Sequence, residues 1–174
     1  MIPFRYSKNI EKQLLWYLIA YLFFNKKFQN ILDVGCGLGQ NIRFLRFKKY
    51  TGLDIDQERI KINKKVFSNK NLKFYEHDIT KNKYESKLNF DMIIFIQVLT
   101  NSLFKKDDLS IALKNLIEMT NKKFIFNTSI KNKSEIRKIE DVLSKSNIRF
   151  FKIKYGINKY SRRIKIPIIT QLFA

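Results

Sequence analysis

The stretch Ile31-Leu-Asp-Val-Gly-Cys-Gly-Leu-Gly39 constrains this chain more than any other. An apolar run that ends in an acid and then in Gly-x-Gly-x-Gly reads as a buried strand turning toward a helix. Glycines there let the backbone turn tightly and approach a ligand with no Cβ in the way. In parallel α/β sheets, ligands bind beyond the carboxyl ends of the strands. The dinucleotide fingerprint needs a glycine at position 40, where Gln40 stands, so the spacing departs from the NAD pattern.

Apolar runs and segments of helical period alternate around this turn. The pattern predicts strands over Asn30 to Val34, Tyr50 to Ile55, Leu72 to Glu76, Phe90 to Leu99 and Lys123 to Asn127. Between them it predicts helices over Asn41 to Lys48, over Gln57 to Phe67 with Asp56 as its cap, and over Asp107 to Thr120. In the last of these, Leu109, Ala112, Leu113, Leu116 and Ile117 share one face. Asn132 and Glu135 form a capping-box pattern opening a helix over Ser134 to Ser146. Phe150 to Tyr155 and Ile164 to Phe173 then read as a hairpin around Gly156. The expected fold is α/β and doubly wound: a mostly parallel seven-stranded sheet with helices on both faces and a C-terminal antiparallel hairpin.

A length of 174 residues suits one domain with one site. A single cysteine excludes an internal disulfide, and one cysteine with one histidine falls short of a zinc ligand set, so no metal is expected. The longest apolar run, Leu14 to Phe24, is shorter than the roughly 18 to 20 residues of a membrane span. Asn25-Lys26-Lys27 follows it where a signal peptide would carry small residues. A buried or lid helix from Ser7 to Phe24 and a cytoplasmic location are the expectation. The net charge of +20 attracts anions: nucleic acid, membrane surfaces or phosphorylated substrates. Yet 27 of the 35 basic residues are lysine, and Lys, Asn and Ile make up 68 of the 174 residues, a bias that compositional drift alone can supply.

From Asp33 onward the chain resembles the class I S-adenosylmethionine (SAM)-dependent methyltransferases. Their first motif, Asp/Glu-x-Gly-x-Gly-x-Gly, matches Asp33, Gly35, Gly37 and Gly39, with Cys36 lying between the glycines. An acid ending the second strand matches Asp54, and an Asp ending the third matches Asp78. A strand beginning Phe-Asp matches Phe90-Asp91 and runs to Leu99. The resemblance covers residues 31 to 101. It implies SAM as cofactor, with Asp54 on the ribose hydroxyls, Asp78 near the adenine amino group, Ile55 and Ile79 on either side of the adenine ring, and Gln97 also at the cofactor. It divides the chain into an N-terminal helix or lid (1–28), a cofactor-binding core (29–130), and a C-terminal helix and hairpin (131–174).

Acceptor contacts are expected from loops at the carboxyl edge and from both chain ends: Arg5, Tyr6, Asn101, Arg162 and Arg163. Candidates for a catalytic role are Gln97, Asn101, Tyr6 and His77, although strand alternation turns His77 away from the face that Asp78 uses. Cys36 reads as a small filler between glycines, and Asp91 as a cap or turn residue. Nucleobase and protein-glutamine amino methyltransferases often carry Asn/Asp-Pro-Pro-Tyr after the fourth strand, where this chain has Gln97-Val-Leu-Thr-Asn101. That departure favours an oxygen over a nitrogen, on a small-molecule, glycan or lipid-type acceptor that the arginines suggest is anionic. An RNA methyltransferase using the basic surface, peripheral membrane contact, and a non-catalytic interaction module stay open as alternatives.

Overall fold

A computed structural model of the protein describes residues 26–99, 108–120, 123–128 and 133–146. The segment expected to form the N-terminal helix and the segment expected to form the hairpin lie outside the described residues. So do Arg5, Tyr6, Asn101, Arg162 and Arg163.

Among the described residues five strands form one sheet: β1 (Lys27–Val34), β2 (Arg46–Asp54), β3 (Leu72–Glu76), β4 (Met92–Leu99) and β5 (Lys123–Thr128). They lie in the order β3-β2-β1-β4-β5, and every neighbouring pair is parallel. The order reverses between β1 and β4, which makes the turn after β1 the switch point where such sheets take their ligands. The expected seven strands reduce to five among the described residues, and no antiparallel strand is among them.

Among the described residues three α-helices accompany the sheet: α1 (Gln57–Val66), α2 (Asp108–Met119) and α3 (Lys133–Ser144). Alternation along the strands feeds two separate cores. Leu32, Leu53, Ile93, Phe95 and Phe124 meet Leu113 and Leu116 of α2 and Ile139 and Leu143 of α3 on one face. Ile31, Tyr50, Phe74, Met92 and Ile94 meet Ile60 of α1 on the other. Because both faces are covered, the central strands carry consecutive apolar residues, Ile31-Leu32 in β1 and Met92 to Ile96 in β4, that serve both cores.

One predicted helix is replaced. Residues 41 to 48 were expected to continue helically after the glycine turn; instead a single 3₁₀ turn, Gln40–Phe44, follows, and Arg46 already opens β2. The edge of β1, extended back to Lys27, offers ladder bonds to residues from Arg46 onward, and those tertiary bonds outweigh the helical propensity of a short segment. Asp56 is the N-cap of α1 as expected, its Oδ1 accepting from the backbone N–H of Glu58 at 3.0 Å and of Arg59 at 3.2 Å. Asp91 anchors the start of β1: its Oδ2 accepts from the N–H of Gln29 at 2.8 Å and of Asn30 at 3.0 Å.

Leu113 sits fully buried where α2 meets the sheet and α3. Leu113→Ala is expected to cost about 2 to 5 kcal/mol in urea unfolding. A cost below about 1 kcal/mol would mean that the α2 face does not form the core described here.

Candidate functional site

The turn after β1 is built by its neighbours. Gly35, Gly37 and Gly39 have φ of 71°, 54° and 70°, all in the left-handed region that glycine alone enters freely. A Cβ on Gly35 would fall 2.2 Å from Val98 Cγ2, so β4 also requires glycine there. Around Gly37 no atom lies within 4 Å of an added Cβ, so the middle of the turn faces open space.

The end of β2 holds the turn in shape. The carbonyl of Leu53 accepts from the N–H of Gly35 at 2.7 Å and of Cys36 at 2.9 Å. Asp54, buried at the carboxyl end of β2, accepts the Gly37 N–H on Oδ2 at 2.7 Å and the Asp56 N–H on Oδ1 at 2.9 Å. Asn63 of α1 donates from Nδ2 to the Gly37 carbonyl at 2.7 Å. The Gly37 peptide is therefore gripped at both its donor and its acceptor.

Beneath the turn lies Asp33, wholly excluded from solvent. Its Oδ2 accepts from Tyr50 Oη at 2.5 Å and from Asn41 Nδ2 at 3.0 Å, while Oδ1 is buried with no hydrogen-bond partner. Burial pushes its pKa up to about 6; the bonds from Tyr50 and Asn41 pull it down, and the charge of Asp54 adds to the rise. Asp78 shows the opposite balance. Its partial burial raises its pKa, but Thr80 Oγ1 and N–H, donating to its Oδ1 at 2.6 and 3.0 Å, together with the charges of Lys81 and His77, hold it below the usual carboxylate range.

Three acids thus stand at or just past the carboxyl ends of β1, β2 and β3, adjacent strands around an open glycine turn. The sequence pattern of the methyltransferase-domain family matches residues 31–123, more than half of the chain. The chain belongs to this family of class I SAM-dependent methyltransferases. No curated protein matches it.

Solved structures similar to the methyltransferase share its fold at low identity. The N-methyltransferase NodS from Bradyrhizobium japonicum WM9, in complex with S-adenosyl-L-homocysteine, is 16% identical with a TM-score of 0.69, over 98% of this chain and 90% of that one. The magnesium protoporphyrin IX methyltransferase from Synechocystis PCC 6803 with bound SAM is 12% identical with a TM-score of 0.62, over 94% and 77%. The [4+2]-cyclase SpnF is 16% identical with a TM-score of 0.66, over 87% and 62%. A cyclase in this company means that the fold does not by itself fix the reaction.

The remaining expected residues fall as follows in the methyltransferase. Ile55 is 66% exposed beside Asp54, whereas Ile79 is buried in the α2-side core, its carbonyl accepting from Asn115 Nδ2 at 2.8 Å. Cys36 is buried, with Sγ close to where a Cβ on Gly52 would fall, and burial pushes its thiol well up, as suits a filler. His77 follows β3; its Nε2 donates to the Asn82 carbonyl at 3.0 Å and its ring meets Tyr84 edge-on. Gln97 lies in β4, where the register against β5 shifts between Phe95 and Leu99.

Sequence reasoning missed four residues that shape this site: Asn41, Tyr50, Asn63 and Asn115. For Asn63 a signal existed, since it stands three residues after Ile60 on the inward face of α1, where a polar side chain must find a partner. For Tyr50 and Asn41 there was none, because the carboxylate they share comes from another strand.

A buried acid with a raised pKa favours folding when protonated, so Asp33 destabilises the fold progressively as pH rises from about 4 through about 6. Asp33→Asn removes that dependence. The variant's unfolding free energy relative to wild type is expected to improve by about 2 kcal/mol between pH 4 and pH 7, most of the full effect at about 1.4 kcal/mol per pKa unit. Parallel stability curves for the two proteins would show that Asp33 does not titrate in this range.

Proposed function

We propose that the protein transfers the methyl group of SAM to an oxygen of a small-molecule, glycan or lipid-type acceptor, with an anionic group on that acceptor. The observation that carries the cofactor half is the ring of strand-end acids around a glycine turn whose Gly37 faces open space. Asp54 keeps lone pairs beyond those used by Gly37 and Asp56, so its carboxylate has acceptor capacity for a ribose diol. Ile55, exposed beside it, offers an apolar face for the adenine ring. Asp78, kept ionised by Thr80, is an acceptor for the adenine amino group.

The fit is thus good for a cofactor with a diol, a flat base and a cationic end. Bound SAM supplies the activated methyl group. The residues of this chain bind, orient and exclude water, which is most of what an in-line methyl transfer requires. No strong general base is needed for an acidic oxygen acceptor, and His77, its Nε2 donating to Asn82, is not called on here. We assign Gln97 to the cofactor end, the segment 7–24 to a lid, and Arg5, Tyr6, Asn101, Arg162 and Arg163 to the acceptor. The paired arginines suit carboxylate or phosphate, which they bind with a planar fork.

The similar NodS is an N-methyltransferase, so preference for oxygen rests on this chain's own Gln97 to Asn101 segment. A nucleic-acid acceptor is the second reading, favoured by cations at the amino edge of the sheet: Lys27 stands opposite Arg46, and Lys26 lies beside Lys123. That edge is remote from the strand ends that carry the acids, so its field would attract RNA without presenting it to the methyl group.

Calorimetry is expected to show SAM and S-adenosyl-L-homocysteine binding in the micromolar range. Asp54→Ala should weaken either by about 10- to 100-fold, through lost charge-assisted bonds. Asp54→Asn, which keeps one acceptor oxygen, should fall between. An unchanged dissociation constant in a folded Asp54→Ala protein would remove Asp54 from the cofactor site.

A further inference from the structure

We propose that Tyr50 and Asn41 are positioning residues for cofactor binding, holding Asp33 as a buried carboxylate with one oxygen in reserve, so that affinity follows the charge on Asp33. The inference rests on reading residues 33–39 as the cofactor turn. Its basis is an asymmetry in the hydrogen bonds. Two donors from two different elements, Tyr50 Oη of β2 at 2.5 Å and Asn41 Nδ2 of the 3₁₀ turn at 3.0 Å, both fall on Oδ2. Oδ1 receives none, although it is enclosed.

For a purely structural purpose this arrangement is wasteful. An acceptor buried without a donor costs stability, and apolar side chains of similar volume would fill the space without that cost. Sharing the two donors between the two oxygens would also have been cheaper. What the observed geometry secures is a carboxylate whose position is fixed from two sides and whose second oxygen is unshared, directly before the turn that faces open space at Gly37.

The groups facing Asp33 give the sign of the effect. Tyr50 comes from β2 and Cys36 from the turn; burial raises the pKa of both, so both are neutral at ordinary pH. Asn41 carries no charge. Asp54, at the end of β2, is the one charge acting on Asp33 among these groups, and it opposes ionisation. The bonds from Tyr50 and Asn41 are then what favour the anion. Burial sets its pKa at about 6 in spite of them, so the carboxylate is charged at neutral pH and loses its charge in mild acid. A cationic cofactor binds the charged form better, and affinity falls as pH falls through that region. Removing a donor raises the Asp33 pKa further and shifts the fall to higher pH.

The test is calorimetric titration of the full chain with SAM from pH 5 to 8.5, with thermal melts at each pH. Wild type is expected to bind about tenfold more weakly at pH 5 than at pH 7.5. Tyr50→Phe should move the midpoint up by about one pH unit, and Asn41→Ala should move it up by less. Asp33→Asn should bind weakly with no such midpoint. If Tyr50→Phe or Asn41→Ala binds SAM with the wild-type pH profile, the inference is overturned, whatever happens to melting temperature. Should Tyr50→Phe fail to fold, Asn41→Ala decides alone. Absence of binding by wild type at every pH would instead refute the cofactor reading itself.

Discussion

The hydrogen bonds that grip the Gly37 peptide are the constraint on which the site depends. Asp54 takes its N–H and Asn63 gives to its carbonyl, while Leu53 accepts from the two preceding peptides. A turn with three left-handed glycines at alternate positions, joined internally by the bond from the Gly39 N–H to the Cys36 carbonyl at 2.9 Å, has little internal reason to keep one shape. It keeps one because the end of β2 and the inner face of α1 supply its missing partners. The parallel register that sets Val34 against Leu53 is what brings those partners to the turn. Sheet, helix and site are thus one construction, and a slip of one residue in that register would leave several buried peptide groups unpaired.

Polar burial is concentrated on the same face. Asp33, Asn41, Asn63 and Asp54 are all buried around the turn, and Thr51 is the one other buried polar residue among those described, while the core shared by α2 and α3 is built from apolar side chains. The two faces therefore have different roles. The α2 side supplies stability by excluding apolar surface from water, and the α1 side holds charge in a low-dielectric setting where fixed dipoles act strongly. Such a face is less stable than an apolar one would be, which is the usual relation between a binding site and its scaffold.

Much of this was legible in the sequence because its signals were local. The capping role of Asp56 depends on residues two and three positions away, and the inward stripe from Leu109 to Leu116 on a repeat within one helix. Asp33, Asp54 and Asp78 were found through the resemblance to the methyltransferase motifs, which place an acid at or near the end of each of three successive strands. The signals that failed depended on distant partners. Residues 41 to 48 read as a helix in isolation and become a 3₁₀ turn and a strand only because β1 lies alongside. Tyr50 looks like an ordinary apolar strand residue until the carboxylate from β1 is brought beneath it. Ile79 illustrates a further limit: sequence position next to Asp78 says nothing of which layer its side chain enters, and it enters the α2-side core.

The brevity of the link between β1 and β2 bears on how the chain reaches this state. Lys27 pairs with Arg46 nineteen residues on, and Tyr50 pairs with Leu72 twenty-two on, whereas Ile31 meets Met92 only after sixty-one. Loop closure is entropically cheaper for the first two pairings, and contacts near in sequence form fast. All three strand-end acids belong to this N-terminal half of the sheet. The half that bears the acids can thus assemble early, with the docking of β4 against β1, and of Val98 against Gly35, left as the slow step that closes the molecule.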